Sequence, residues 1–309
     1  MIVVFGSVNL DLVARVDRLP REGETIAGTS FAALAGGKGA NQALAARRAG
    51  ATVAMAGAVG ADGFAPAALR NLVAAGVNLE AMRRVDVPTG VALIHVDAAG
   101  RNAITVIAGA NSHADPEDVT DATLRPGTTL VLQLEVPLEA VTAIAVRAKR
   151  RGIRVILNAA PAHPLSRDLI AALDVLIVNE HEAAAIAASG ALPQAPADFA
   201  VTFHRRHACA VVVTLGAGGA IAAVDGALLT VEAPKVRVID TVGAGDALVG
   251  ALAAALDRGA EWTRAIAEGV AAGTLACTVE GAQAAMPDRA AIETLAATFR
   301  VGVRPRSLG

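Results

Sequence analysis

Apolar and polar positions along this 309-residue chain fall into two rhythms. Short apolar runs at 2–5, 52–59, 130–132, 154–157, 175–178 and 210–214 have the length and β-branched content of buried strands. Stretches with helical spacing lie at 44–50, 64–75, 138–151, 165–173, 181–189 and 199–207, and Gly50, Gly76 and Gly152 close three of them. Strands separated by helices predict βαβ units with right-handed crossovers, hence an α/β fold with a mostly parallel central sheet flanked by helices. Ligands in such sheets bind beyond the carboxyl ends of the strands.

A second pattern interrupts the first. Val8-Asn9-Leu10-Asp11-Leu12-Val13 alternates, which puts Asn9 and Asp11 on one side of an extended segment. Segment 14–34 stays β-like and is punctuated by Pro20, Gly23 and Gly28, while 89–96 and 102–107 read as a hairpin turning through Asp97-Ala98-Ala99-Gly100. A hairpin in a βα chain implies a small sheet standing apart from the main one. No linker or internal repeat divides the chain, so the expectation is a single α/β domain over 1–309 with a β appendage.

Composition narrows the function classes. Hydrophobic residues make up 54% and aromatic ones 2%, with no Tyr, so aliphatic side chains must fill the core and few rings are available to stack bases. A net charge of −2 without basic blocks lacks the footprint of a nucleic-acid binder. No apolar run reaches the roughly 20 residues of a membrane span, and residues 1–6 read as a strand rather than a signal peptide. Cys209 and Cys277 are too few for a disulfide framework or zinc site and read as buried small hydrophobes. The expectations are no nucleic-acid partner, no membrane and a cytoplasmic, reducing location.

Candidate chemistry gathers at a few stretches. Asp240-Thr241-Val242-Gly243-Ala244-Gly245-Asp246-Ala247 lies between a strand-like run at 235–239 and a helical run at 248–256. It reads either as a helix start that cradles an anion on backbone N–H groups, with Asp246 beside it to take a proton from a hydroxyl, or as an ordinary turn with a capping Asp. Asn9 and Asp11 suit a polyhydroxyl ligand or, equally, a solvent-facing strand edge. Gly36-Gly37-Lys38-Gly39-Ala40-Asn41-Gln42-Ala43 opens a helix. It is not a Walker A loop, because the spacing to Lys38 is wrong and Ala40 replaces the metal-binding Ser/Thr. Glu135, Asn158, Asn179, Glu180, Glu182 and Thr214, with Gly216 to Gly219, fall at the same sheet edge. His163, His181, His204 and His207 have no Cys or acid at ligand spacing and read as surface residues, and Trp262 as a core or interface anchor.

In this order, over nearly the whole chain, these stretches resemble the ribokinase-like carbohydrate kinases, also called the phosphofructokinase B family. The carrying segments are 6–11, 36–43, Thr89-Gly90-Val91-Ala92-Leu93-Ile94, Gly109-Ala110-Asn111, 133–137, 158–162, 179–183, 214–216 and 240–246. The form of 36–43, with Gly281-Ala282-Gln283, is nearest the family's ribokinase branch. The resemblance implies transfer of the γ-phosphoryl of ATP to a sugar hydroxymethyl group, with D-ribose going to ribose 5-phosphate. It implies Asp246 as base and Gly243, Ala244 and Gly245 as anion hole. Asn9, Asp11, Gly37, Lys38, Asn41 and Glu135 match sugar-binding positions. Asn179, Thr214, Gly216, Gly219, Ala244 and Gly245 match nucleotide-binding ones. Glu182 matches a magnesium position, reached through water. Asp240 and the carbonyls of Val242, Ala276, Val279 and Gly281 match a potassium site, from which Ala285 departs where a serine is common. Asn158-Ala159-Ala160 and Ala247-Leu248 also depart from the family pattern, and Leu248 bears on the pocket. Segments 10–35 and 87–108 match a lid that joins a homodimer. Kinases of another sugar or of a nucleoside, a non-catalytic sugar-binding protein, and an NAD-dependent oxidoreductase built on Gly216 to Ile221 stand as alternatives.

Overall fold

A computed structural model describes residues 1–305. The first half runs β1 (Ile2–Phe5), β2 (Asn9–Val16), β3 (Gly28–Gly36), α1 (Lys38–Arg48), β4 (Val53–Gly60), α2 (Phe64–Ala74), β5 (Asn78–Val85), β6 (Gly90–Val96) and β7 (Asn102–Ile107). The second half runs β8 (Thr129–Leu132), α3 (Leu138–Arg150), β9 (Arg154–Asn158), α4 (Arg167–Ala172), β10 (Val175–Asn179), α5 (Glu180–Gly190), α6 (Pro196–His207), β11 (Ala210–Thr214), β12 (Ala220–Val224), β13 (Ala227–Val231), α7 (Ala244–Asp257), α8 (Trp262–Ala276), α9 (Arg289–Ala296) and β14 (Val301–Pro305).

The main sheet has the order β14-β13-β12-β11-β10-β9-β8-β1-β4-β5. It is parallel from β11 to β5 and antiparallel across β11 to β14. Its central strands are apolar on both faces because both are covered. Ile2, Val4 and Val131 pack with α1, α2, α7, α8 and α9, while Val3, Phe5 and Leu132 pack with α3 to α6. A second sheet, β3-β2-β6-β7, stands apart. β2 and β6 pair in parallel with Asn9 opposite Gly90, and β6 and β7 form the expected hairpin. At its far end β2 touches the body through an ion pair from Arg15 to Glu280.

Small residues bring the helices close. A Cβ at Gly250 of α7 would stand 2.5 Å from Ala45 Cβ and 2.6 Å from the Ala46 nitrogen of α1. At the sheet edge, a Cβ at Gly39 would stand 2.5 Å from the Ser7 nitrogen. Gly37, at φ +89°, turns the chain into α1 where an L side chain is strained. The glycines of 36–39 therefore press the start of α1 onto the β1–β2 connection.

The structure corrects several local readings. Residues 235–239 form no strand; Val236 and Val238 alternate because they line a cavity. Residues 216–218 make a single 3-10 turn that returns into antiparallel β12, so the helix required by a dinucleotide loop is absent there and the oxidoreductase reading falls. Helix α1 begins at Lys38, within the glycine-rich stretch read as its start, and so takes in Asn41 and Gln42 ahead of the apolar run at 44–50. No helix among the described residues is long and apolar enough to cross a membrane.

Candidate active site

Asp246 lies in the first turn of α7 and is buried. Gly243, at φ +78°, serves as N-cap, and a Cβ there would meet Ala282 at 2.9 Å. The first bond within α7 is Ala247 N–H to Gly243 O, at 2.8 Å, so the amides of Gly245 and Asp246 precede the helical ladder. The Ala244 N–H is only loosely engaged, by Thr241 O at 3.3 Å. These amides, at the positive end of the helix dipole, make a seat for an anion.

The close approach of α1 and α7 brings two consecutive amides onto the Asp246 carboxylate. Asn41 Nδ2 donates to Oδ2 and Gln42 Nε2 to Oδ1, each at 2.9 Å. Burial pushes the carboxyl of Asp246 up, against the pull of Lys38 and the two amides. Lys38 is itself half-buried, which alone would lower its pKa; the carboxylates of Asp246, Glu135 and Glu182 outweigh burial and raise it. A fixed cation thus stands among acids at the mouth of the helix.

Glu135, just beyond β8, accepts from Ser7 Oγ at 2.6 Å and from the Lys38 amide at 2.9 Å. Asn9 Oδ1 accepts from Asn111 Nδ2 at 2.7 Å, and Asn111 is also bonded to both backbone groups of Val8. Asp11 sits beside Gly36, where a Cβ would come within 2.2 Å of its carboxylate. Burial, then Glu135 and Asp246, push the pKa of Asp11 up to about 6. A cavity of about 420 Å³ opens from Asn9, Asn111 and Glu135 toward Val106 and Ala108, which follow the course of β7. Asp11, Lys38, Asn41 and Asp246 are not in its walls.

A larger cavity, about 590 Å³ and mostly apolar, lies on the other side of the α7 turn. Thr214, Gly216 and Gly219 form one wall, Val236 and Val238 another, and Ala244, Gly245 and Leu248 close its end. Asn179 lies outside it. Asn179 pairs in register with Thr214, and its side chain caps α5 in a reciprocal box with Glu182, both bonds at 2.8 Å. Burial raises the pKa of Glu182 despite the Asn179 amide and Lys38. Among the described residues no three His, Cys, Asp or Glu side chains gather as a metal cluster.

Asp240 joins two loops: Oδ1 accepts from Val242 N at 3.0 Å and Oδ2 from Gly281 N at 2.9 Å. Ile239 N–H bonds Cys277 O at 2.8 Å, which holds the 240 loop against the chain carrying Ala276, Val279 and Gly281. The carboxylate and carbonyls that these two loops carry are hard oxygen donors of low total charge, a chemistry that fits a monovalent cation. Ala285 is buried and supplies no hydroxyl.

Sequence reasoning did not single out Ser7 or Asn111 as site residues, or foresee that Gln42 would meet Asp246. Their partners lie roughly a hundred or more positions away, where periodicity carries no signal; a polar type at an inward-facing helical position was the one clue for Gln42.

A family model described as "pfkB family carbohydrate kinase" matches residues 1–289. The ribokinase of Haemophilus influenzae is 35% identical over 292 residues, 93% of this chain and 95% of that protein. The ribokinase of Schizosaccharomyces pombe is 40% identical over 274 residues, 84% of this chain and 86% of that one. The structure of Arabidopsis thaliana ribokinase complexed with ribose and ATP superposes with a TM-score of 0.86 at 31% identity, covering 96% of this chain and 98% of that chain.

Proposed function

This chain belongs to the pfkB family of carbohydrate kinases, and from that premise we propose that it is an ATP-dependent ribokinase that forms ribose 5-phosphate from D-ribose. The observation that carries the reading is the placement of Asp246: buried, held by two amides, and one residue from Gly245 in the wall of the larger cavity. The sugar lies between Asn9, Asp11, Gly37, Lys38, Asn41 and Glu135, and ATP lies along Thr214, Gly216 and Gly219 with its terminal phosphate at Ala244 and Gly245. Asn179 stands beside Thr214 at the phosphate end. Asp246 accepts the proton of the hydroxymethyl group. The freed oxygen attacks the γ-phosphorus, the bond to ADP breaks, and the amides of 243–245 meet the charge on the moving oxygens.

Glu182 would hold magnesium brought with the nucleotide phosphates, and the ion would supply neutralisation of phosphate charge. Asp240 and the carbonyls of Val242, Ala276, Val279 and Gly281 would hold potassium, which would supply positive charge beside the loops flanking the anion hole. The second sheet, within 10–35 and 87–108, acts as a lid that excludes water. Exposed apolar residues that the strand register puts on one face of this sheet with Asp11, namely Leu34, Ile104 at 53% exposure and Val106 at 56%, support pairing with a second copy. ATP as donor fits a cytoplasmic location.

The test is turnover of D-ribose, 2-deoxyribose and fructose with ATP, with and without potassium, in the native protein and in Asp246→Asn. Ribose is expected to be the best substrate, and Asp246→Asn to lower kcat about 10²- to 10⁴-fold with ribose binding retained. Equal use of another sugar overturns the substrate, and retained turnover in Asp246→Asn overturns the base.

A further inference from the structure

Gln42 is an anomaly of the core. It is 0% exposed on α1, where an aliphatic side chain would pack without cost, and its Oε1 has no partner among the described residues. A buried amide left half-satisfied is destabilising, so its retention calls for a reason. The reason lies in its nitrogen. Gln42 Nε2 donates twice, to Asp246 Oδ1 at 2.9 Å and to Asn158 Oδ1 at 3.0 Å.

Asn158 decides which way the Gln42 amide faces. Its own Nδ2 is taken by Ile177 O on β10, at 3.2 Å, which leaves Oδ1 turned toward Gln42. An oxygen there accepts only a donor, so Gln42 presents Nε2 and not Oε1 to the space it shares with Asp246. The chain Ile177, Asn158, Gln42, Asp246 thus runs from the sheet edge to the carboxylate. With Asn41 on Oδ2, both carboxylate oxygens are tied and the plane of the group is fixed. Each oxygen keeps a second lone pair for a hydroxyl.

We propose that Gln42, aimed by Asn158, is the positioning residue that orients the Asp246 carboxylate and keeps it ionised for proton transfer. The inference rests on Asp246 being the base. The charged groups facing that carboxylate are Lys38 at the start of α1, Glu135 after β8, Asp11 on β2 and Glu182 on α5. Lys38 favours the ionised form and the three acids oppose it, so a neutral donor that bonds the ionised form more strongly than the protonated one tips the balance.

The experiment is a double-mutant cycle with Gln42→Met and Asp246→Asn, read as kcat against pH beside calorimetric binding of ribose and of a non-hydrolysable ATP analogue. Gln42→Met is expected to lower kcat about ten- to a hundredfold, and to move the acid limb of the kcat profile up by about one pH unit, with both binding constants within a fewfold. In the Asp246→Asn background the same substitution is expected to cost nothing further. An unmoved acid limb, or additive losses in the cycle, overturns the proposal. If Asp246→Asn alone keeps its turnover, the base assignment fails instead, and the two failures are distinct. Should Gln42→Met not fold, Gln42→Asn keeps the amide but is one methylene too short, and the same shift of the acid limb is required of it.

Discussion

Asp11 carries a consequence for pH. Its carboxyl titrates near 6 in the folded chain against an ordinary value of 3.8. The folded state therefore holds this proton more tightly than the unfolded state, and ionising the group opposes folding. The cost is absent below about pH 4, grows between there and pH 6, and is complete above, at about 3 kcal/mol. Asp11→Asn is expected to raise the Tm of the ligand-free protein at pH 8 and to leave it nearly unchanged at pH 4, as thermal denaturation across pH would report. Binding carries the opposite sign. In the proposed sugar site the ionised carboxylate is the better acceptor of sugar hydroxyls, so ribose affinity is expected to fall below pH 6 in the native protein, and titration calorimetry should find that slope flattened in Asp11→Asn. The alternation of Asn9 and Asp11 was legible in the sequence. The proximity of Glu135 and Asp246 that shifts Asp11 was not, because it depends on how β2, β8 and α7 meet.

At the scale of elements, α1 and α7 matter most. Gly250 lies one turn beyond Asp246 and lets α7 settle against Ala45 and Ala46. A methyl group there meets backbone, which cannot swing aside, so the helices must part. Gly250→Ala is expected to cost about 1–3 kcal/mol of stability, measurable by chemical denaturation. Its kcat is expected to fall more than its ribose KM changes, since parting the helices stretches the two amide bonds on Asp246. The glycine-rich stretch at 36–43 was recognisable as a helix start, but its physical work was hidden: its glycines pack on Ser7 and Asn9 rather than wrap a phosphate. The run at 235–239 misled for a related reason. Alternation signals two unlike sides, and here those sides are a cavity and solvent instead of the two faces of a sheet. The 240 and 281 loops form a further unit, clasped by Asp240. Asp240→Ala is expected to abolish any stimulation of turnover by potassium, which a potassium titration would measure.

For the whole molecule, the repeated βα units made the parallel half of the sheet legible, and the hairpin at 89–107 made the second sheet so. The antiparallel edge, β12 to β14, escaped, because β12 follows β11 after a tight turn and β14 is supplied by residues some seventy positions later. β5 escaped as a partly polar edge strand whose Arg83 pairs with Asp115 and Asp118. The exposed apolar residues on the Asp11 face of the second sheet bear on assembly. Leu34→Asp with Ile104→Lys is expected to turn a dimer into a monomer in sedimentation, with ribose KM raised. An unchanged sedimentation coefficient would place any interface elsewhere.

β2 carries Asn9 and Asp11 at its start and Arg15 one residue before its end, and the partner of Arg15, Glu280, precedes the Gly281 amide clasped by Asp240. A single ribbon therefore spans from the proposed floor for the saccharide to the loop proposed for an alkali metal, which joins the two ends mechanically. Saturating ribose should lower the half-saturating potassium concentration, and potassium should tighten ribose by the same factor. An exposed ion pair transmits at most about 1 kcal/mol, so that common factor should stay near fivefold or below.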